Sequence, residues 1–339
     1  MDYLVVRRCA VSNHKRTGVR NLVITVVFAI IVIVLGAILD PYNQGQLAVV
    51  SMLFIGVLSV TLLTGTSGQI SLGQGALMAV GGYASALTIL NLGLSMWFAL
   101  VMAIIVSALA GLLLGFAAAR LTGPYLAGTT LVLALALPSL AIRFESVLGG
   151  DVGLSVDFGN PPSWLISAVG EIGYEQWQLY ATVPLTCLAL LATANILSSR
   201  TGRMWRAIRD HESAASLMGI NVSNNKIFTF VISSSFAGLS GALYGLRGIV
   251  GPSVYPISLS LLLLTGAILG GLRSIAGALI GSALVVFLPD LIEWATRPLA
   301  LSEQIGNYLP GLIGGVLLLL TVILNPGGIA HALHRHKTK

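Results

Sequence analysis

The chain has 339 residues, 56% hydrophobic and 9% charged, with a formal net charge of +6 at pH 7 and a mean hydropathy of +0.92. Globular domains in water carry roughly 25% charged residues, so this composition excludes an ordinary soluble fold. The excess of positive charge is then a signal of membrane topology and not a nucleic-acid footprint.

A bilayer core about 30 Å thick takes roughly 20 apolar residues per crossing helix. Such stretches recur at 21–39, 46–64, 70–90, 95–119, 125–144, 177–198, 227–250, 257–272, 275–292 and 308–324. They predict an all-α, polytopic transmembrane helical bundle of about ten spans. The stretches 257–272 and 275–292 are short enough to be broken or tilted, which leaves eight or nine spans open. Residues 1–20 are expected as a cytoplasmic N-terminal segment, 21–325 as one transmembrane domain and 326–339 as a cytoplasmic tail. The first basic stretch and apolar run imitate a signal peptide, but the run is too long for an h-region. It ends Gly36-Ala37-Ile38-Leu39-Asp40, without a small-x-small cleavage site, so it is read as a retained helix.

Lys and Arg collect on the cytoplasmic side near span ends. With the amino terminus inside, ten spans place every basic residue inside except Arg143, Arg247 and Arg297. Of the acidic residues only Asp2, Asp210 and Glu212 then lie inside. Both termini are expected in the cytoplasm.

The first irregular stretch is Gly65-Thr66-Ser67-Gly68-Gln69-Ile70-Ser71-Leu72-Gly73-Gln74-Gly75, polar yet uncharged, between two apolar runs. Irregular backbone at membrane depth is tolerated only where protein buries it or where it lines a watery cavity, and discontinuous helices often form transport sites. Gln69, Ser71 and Gln74 therefore read as bordering a polar pathway, with Tyr83 as a further pathway candidate. The competing reading is a tight cytoplasmic turn whose glycines permit helix contact. The loop at about 145–176 is acidic, holds Asn160-Pro161-Pro162 and Trp164, and has room for a short surface helix. It reads either as a surface facing what arrives outside or as a solvated connector.

The longest charge-dense interruption is 200–226, RTGRMWRAIRDHESAASLMGINVSNNK. Asp210 is predicted to cap a short helix from His211, and Gly219 to end it in a left-handed conformation. Glu212 in the first turn suits the helix dipole. Ala214, Leu217 and Met218 share one face by helical spacing, and Arg203, Arg206 and Arg209 precede them. Such a helix seats in a groove on another protein or, alternatively, lies on the membrane surface.

Chemistry is hard to place on this chain. No Lys follows a glycine, which removes a phosphate-binding P-loop. His211-Glu212 begins like a zinc-protease motif, but Ala215 stands where the second histidine is needed. His331, His334 and His336 belong to a basic tail. Cys9 and Cys187 form neither a disulfide framework nor a metal pattern. Mid-membrane ionisable groups, the usual mark of proton or ion pathways, are absent from the spans, with Arg143, Arg247, Asp290 and Glu293 near their ends. This counts against ion-coupled transport and intramembrane enzymes alike.

The stretch RAIRDHESAASLMGINVSNNKIFTFVISSSFAGLSGALYG resembles the cytoplasmic-loop signature of permease subunits in ATP-binding cassette importers, and most closely the high-affinity branched-chain amino acid permease family. That family's Glu-x-Ala-Ala-x-x-x-Gly pattern matches Glu212, Ala214, Ala215 and Gly219. The segments 68–87, 121–136, 264–292 and Asn325-Pro326-Gly327-Gly328-Ile329-Ala330 agree in order, from about residue 46 onward. His211 and Ser213 replace commoner residues, and Gln74 stands where the family often has His. The resemblance implies a non-enzymatic half-channel in a prokaryotic cell membrane, paired with a second, commonly different, permease subunit. It implies two cytoplasmic ATP-binding cassette subunits that use the ATP, an external substrate-binding protein, and no cofactor on this chain. Coupling falls to Glu212, Ala214, Ala215 and Gly219, flanked by Arg206 and Arg209. Branched-chain amino acids are the expected substrate; urea, short amides or another small solute, or a stand-alone transporter or channel, are the alternatives.

Overall fold

The computed structural model describes residues 2–121, 123–169 and 172–296, together with positions 309, 312, 313, 315, 316, 329 and 330. Eight of its helices are long and apolar enough to cross a membrane. They are α1 (Asp2–Ile38, apolar from Gly18), α2 (Pro41–Val60, continuing through a π-turn, Thr61–Thr66), α3 (Gln74–Leu92), α4 (Met96–Arg120), α5 (Pro124–Arg143), α8 (Tyr174–Ser198), α11 (Val222–Gly245) and α13 (Ile275–Thr296). Shorter pieces are α6 (Glu145–Leu148), α7 (Ser163–Val169), α9 (Arg200–Asp210), α10 (Glu212–Leu217) and α12 (Ile257–Gly270). Among the described residues the bundle is all-α apart from one two-residue pairing, β1 (Leu154–Ser155) antiparallel to β2 (Ile249–Val250). The expected tenth span, 308–324, and the 326–339 tail fall almost wholly outside the described residues.

Sequence punctuation sets the helix ends. Pro41 and Pro124 occupy first-turn positions, where the missing N–H costs nothing. Gly93 closes α3 at φ +61. The side chain of Asn221 caps α11 by accepting from the Asn224 N–H at 3.0 Å.

Packing sorts the helices into a centre and a shell. The crossing stretch of α2 is 89% buried and those of α3 and α11 are 61% buried, against 22% for α1 and α5 and 28% for α13. Lipid tails are as apolar as leucine, so small residues that admit close approach must hold the centre together. A Cβ on Gly81 would lie 2.2 Å from the Gly238 carbonyl oxygen, and one on Gly241 1.9 Å from that of Met78. The α12–α13 pair uses the same device, with Gly270 against Gly277 and Gly266 against Gly281.

The apolar helix α12 is too short to cross alone. The 14 residues of α12 span about 21 Å at 1.5 Å per residue, less than a bilayer core. The irregular lead into it carries Tyr255, buried between α3 and α11, where its hydroxyl donates to the Gly241 carbonyl at 2.7 Å and lies against Gly82. Such backbone is acceptable at this depth because protein surrounds it.

Contacts fix which helix ends lie together. At one end Asn21 bonds Asn195, Gly115 abuts Ile227, and Leu272 abuts Gly65. At the other, Gly36 meets Leu179, Gly45 meets Glu175, and the Tyr42 hydroxyl donates to Asp290. The first end gathers Arg20, Arg120, Arg200, Arg203, Arg206, Arg209, Lys226 and Arg273. The second gathers Asp40, Glu145, Asp151, Asp157, Glu175, Asp290 and Glu293, with Arg143 and Arg247.

Candidate functional site

Two stretches singled out in the sequence meet at the basic end. The first is the junction between α2 and α3. Helix α2 loosens into its π-turn at Thr61 and stops at Thr66. Its hydroxyls are satisfied within the chain: Thr61 donates to the Val57 carbonyl and Ser67 to that of Leu63. The chain then turns back inward and α3 does not start until Gln74. There the Gln74 Oε1 accepts from Ser59 Oγ at 3.2 Å, seven residues before the end of the π-turn and so about 10 Å inside it. The junction is thus non-helical backbone at membrane depth.

Side chains from three helices supply the partners this backbone lacks. Thr130 Oγ1 of α5 accepts from the Leu72 N–H at 3.0 Å, and Ser260 Oγ of α12 accepts from the Gly75 N–H at 2.9 Å. Gln74 Nε2 donates to Ser233 Oγ of α11 at 3.1 Å, and that hydroxyl donates to the Ser59 carbonyl at 2.9 Å. Gly68, at φ +75, takes the left-handed turn.

All four sequence-predicted pathway residues are buried, but they are in different situations. Gln74 is locked in its network. Ser71 accepts from the Gly73 N–H at 3.3 Å. Gln69 donates to Ser67 Oγ at 2.8 Å, while its own side-chain oxygen has no partner. Tyr83, two turns along α3, also keeps an unpartnered buried hydroxyl. The sequence reading missed Ser59, Ser233 and Ser260, which are ordinary serines within apolar runs; only the fold brings them to Gln74 and Gly75.

The second stretch is α9–α10. Helix α9 buries Gly202, Trp205 and Ile208 on one side, with Trp205 fully buried and its ring centroid 6.2 Å from that of Phe228. Arg203 and Arg206 point outward and donate to the Ser198 and Leu197 carbonyls at the end of α8, each at 3.3 Å. Arg209 turns the other way. Its Nη1 donates to the Gly65 carbonyl at 2.8 Å, and Nε and Nη2 hold Asp210 Oδ1 at 3.0 and 2.8 Å. The hydrogen bond and charge of Arg209 keep the Asp210 carboxyl below its ordinary pKa, with Arg273 adding to the effect.

Asp210 is not the predicted cap. It is the last residue of α9, its carboxylate is engaged by Arg209, and His211 (φ −154) occupies the position before α10 without a side-chain cap bond. Gly219 does end the short helix in the left-handed region, at φ +81. Glu212 reaches Lys226 Nζ at 2.7 Å, with side-chain exposures of 48% and 7%. Ala215 is buried, and its carbonyl accepts from the Ile220 N–H at 3.1 Å. Ala214 is exposed. The tip carries Leu217 and Met218, 88% and 85% exposed. These two, placed on the apolar face by spacing, were not among the expected coupling residues, although large apolar groups in a polar loop were the available signal.

A separate crevice of about 680 Å³ lies towards the acidic end, lined by Ile33, Trp97, Leu165, Trp177, Tyr180 and Pro184 among others. Among its polar atoms, Trp177 Nε1 donates to the Phe158 carbonyl, and the Tyr180 hydroxyl accepts from Gln176. The lining residues described are uncharged.

The described family of branched-chain amino acid transport system permease components matches residues 42–322, from the start of α2 to beyond α13. The chain is 29% identical over 305 residues to the high-affinity branched-chain amino acid transport system permease protein LivM of Salmonella typhimurium, covering 84% of this chain and 69% of that one. It is 27% identical over the same length to LivM of Escherichia coli K12. A probable branched-chain amino acid transport permease protein LivH of Methanocaldococcus jannaschii is 26% identical over 296 residues, 84% of this chain and 90% of that one. With eight helices among the described residues long and apolar enough to cross a membrane, the central ones packed through glycines, and a family match that takes in both the broken α2–α3 junction and the α9–α10 loop, the chain belongs to the multi-pass membrane permease family of branched-chain amino acid transport systems.

Proposed function

We propose that this chain is one of two permease subunits of an ATP-driven importer for branched-chain amino acids, and that α10 docks it on a cytoplasmic ATPase subunit. The observation that carries this is the tip of α10. Leu217 and Met218 are almost fully exposed on a short helix whose other side is fastened to the chain by Ala215 and the Glu212–Lys226 pair. Exposed apolar side chains on a short helix anchored along its other side suit insertion into a partner's groove. Glu212, Ala215 and Gly219 shape the helix, Ala214 adds to its outer face, and Arg206 braces the end of α8. The basic end faces the cytoplasm, following the distribution of Lys and Arg. This places both α10 and the α2–α3 junction on the side where ATP is available.

In this reading the peripheral helices meet the second permease subunit and lipid, and an external binding protein delivers substrate to the acidic end. Gln69 and Tyr83, with unpartnered polar atoms near the junction and along α3, contribute to the path when it opens. Gln74 and Ser71 hold the junction in its present form. ATP is used by the partner, and this chain needs no cofactor.

The test is reconstitution into proteoliposomes with the companion permease, the ATPase subunits and the binding protein, following uptake of radiolabelled leucine. ATP-dependent uptake is expected, and Leu217→Asp should abolish both uptake and co-purification of the ATPase. Uptake that persists without any ATPase would falsify the importer reading.

A further inference from the structure

The sequence sets the glycine-rich junction and the charged loop 144 positions apart, and nothing in either predicts that they touch. In the fold Arg209 joins them. Its side chain is only 16% exposed, unlike the outward Arg203 and Arg206. The last carbonyls of a helix lack intrahelical partners, and at Gly65 the guanidinium supplies one. Asp210 fixes the guanidinium from the other side by holding Nε and Nη2. The backbone is equally close: a Cβ on Gly68 would lie 3.3 Å from both the Cα and the Cβ of Arg209. Gly65 also packs against the turn between α12 and α13, where a Cβ would sit 1.7 Å from the Leu272 carbonyl oxygen. Two elements, α9 and the α12–α13 turn, therefore converge on the end of the π-turn, and the chain leaving it leads directly to Gln74.

We propose that Arg209 is an internal strut, not an ATPase contact: it ties α9 to the Gly65–Gly68 junction so that the two move as one body. This rests on the importer reading. A docked ATPase displaces α10 and, through it, α9. A charge-assisted hydrogen bond to a buried carbonyl, backed by direct packing on a glycine, carries that displacement into the α2–α3 junction and the Gln74 network. Coupling requires an element whose contacts differ between states, and a loosened helix end with a π-turn is easier to shift than a regular helix. Arg209 is thus a positioning residue.

The experiment uses the complete reconstituted complex. Arg209→Met keeps the apolar stem and removes the Nη1 bond. The ATPase should still co-purify with it, while leucine taken up per ATP hydrolysed falls about tenfold or more, the scale set by one charge-assisted hydrogen bond. Loss of the ATPase, as expected for Leu217→Asp, would make Arg209 a docking contact and overturn the proposal. Unchanged uptake per ATP would overturn it as well.

A second arm replaces the hydrogen bond with a covalent link. In a background with Cys9 and Cys187 replaced by Ala, Gly68→Cys with Arg209→Cys brings two Cβ atoms to 3.3 Å, just under the roughly 3.5–4.5 Å usual for a disulfide, with the side chain at position 68 held at φ +75. The oxidised protein should recover the coupling that Arg209→Cys alone lacks, and lose it again on reduction. A bridged protein as uncoupled as the reduced one would refute rigid movement. The wild-type complex separates the two ideas: no ATP-dependent uptake there defeats the importer reading, whereas normal uptake with an indifferent Arg209→Met defeats the strut alone.

Discussion

Residues of the same type do different work in this protein, and burial decides which. Arg203, Arg206 and Arg209 recur every third position, yet the first two brace the end of α8 and the third enters the bundle. Glycines divide similarly. Gly219 is needed for its φ of +81 and has open space around it, whereas Gly81 sits in a regular helix and is needed because the Gly238 backbone lies against it. Gly81→Ala should therefore destabilise the bundle by about 1–3 kcal/mol, the usual cost of forcing a methyl group into a packed core. The expected sign is a lower thermal midpoint in detergent, with Gly219→Ala, an exposed position, affecting the loop and not the midpoint. A midpoint unmoved by Gly81→Ala would mean that α3 and α11 are not in backbone contact.

At the scale of elements, α10 is held by very few interactions. Six residues do not make a stable helix alone, so its anchors matter: the Glu212–Lys226 pair, the buried Ala215 methyl and the Gly219 turn. Removing the Glu212 carboxylate leaves a nearly buried ammonium without its partner. Because Glu212 is half exposed, the loss is discounted from that of a fully buried pair to about 1–2 kcal/mol. Glu212→Ala should speed hydrogen exchange at the backbone amides of 212–220 by roughly tenfold, and Glu212→Gln, which keeps an acceptor oxygen, by less. Equal exchange in wild type and Glu212→Ala would remove the pair as an anchor. The existence of this helix and its glycine stop were legible in local sequence. The cap was not, because Asp210 has a choice between α10 and Arg209, and side-chain competition of that kind depends on where Arg209 is held. The irregular nature of 65–75 was equally legible from its glycines and polar residues. Its role as either pathway or turn was not, since the hydroxyls that satisfy it come from α5, α11 and α12.

At the scale of the whole molecule, the two ends of the bundle differ in charge, and this sets the expected orientation. Single cysteines at Ser213 and Asp151, in a background lacking Cys9 and Cys187, should be labelled by a membrane-impermeant maleimide from opposite faces of the cell membrane. Ser213→Cys should react only after the cytoplasmic face is exposed, and Asp151→Cys in intact cells. Labelling of both from one side would break the topology and, with it, the docking of α10 on a cytoplasmic ATPase.

The sequence by itself determined the solvent in which this chain folds, because composition fixes transfer free energy whatever the tertiary arrangement. It also determined most of the crossing segments, the likeness to permease components, and the two polar interruptions, since each of these is a local property of consecutive residues. Tertiary structure decided which helices form the centre and that irregular backbone leading into α12 is packed between α3 and α11. It also decided that Gln74 meets Ser59 and Ser233, and that Arg209 reaches across to Gly65. Those outcomes depend on close approach between segments far apart in the chain. In lipid such approach is governed by the fit of glycines, serines and backbone carbonyls, which no pattern of hydropathy records.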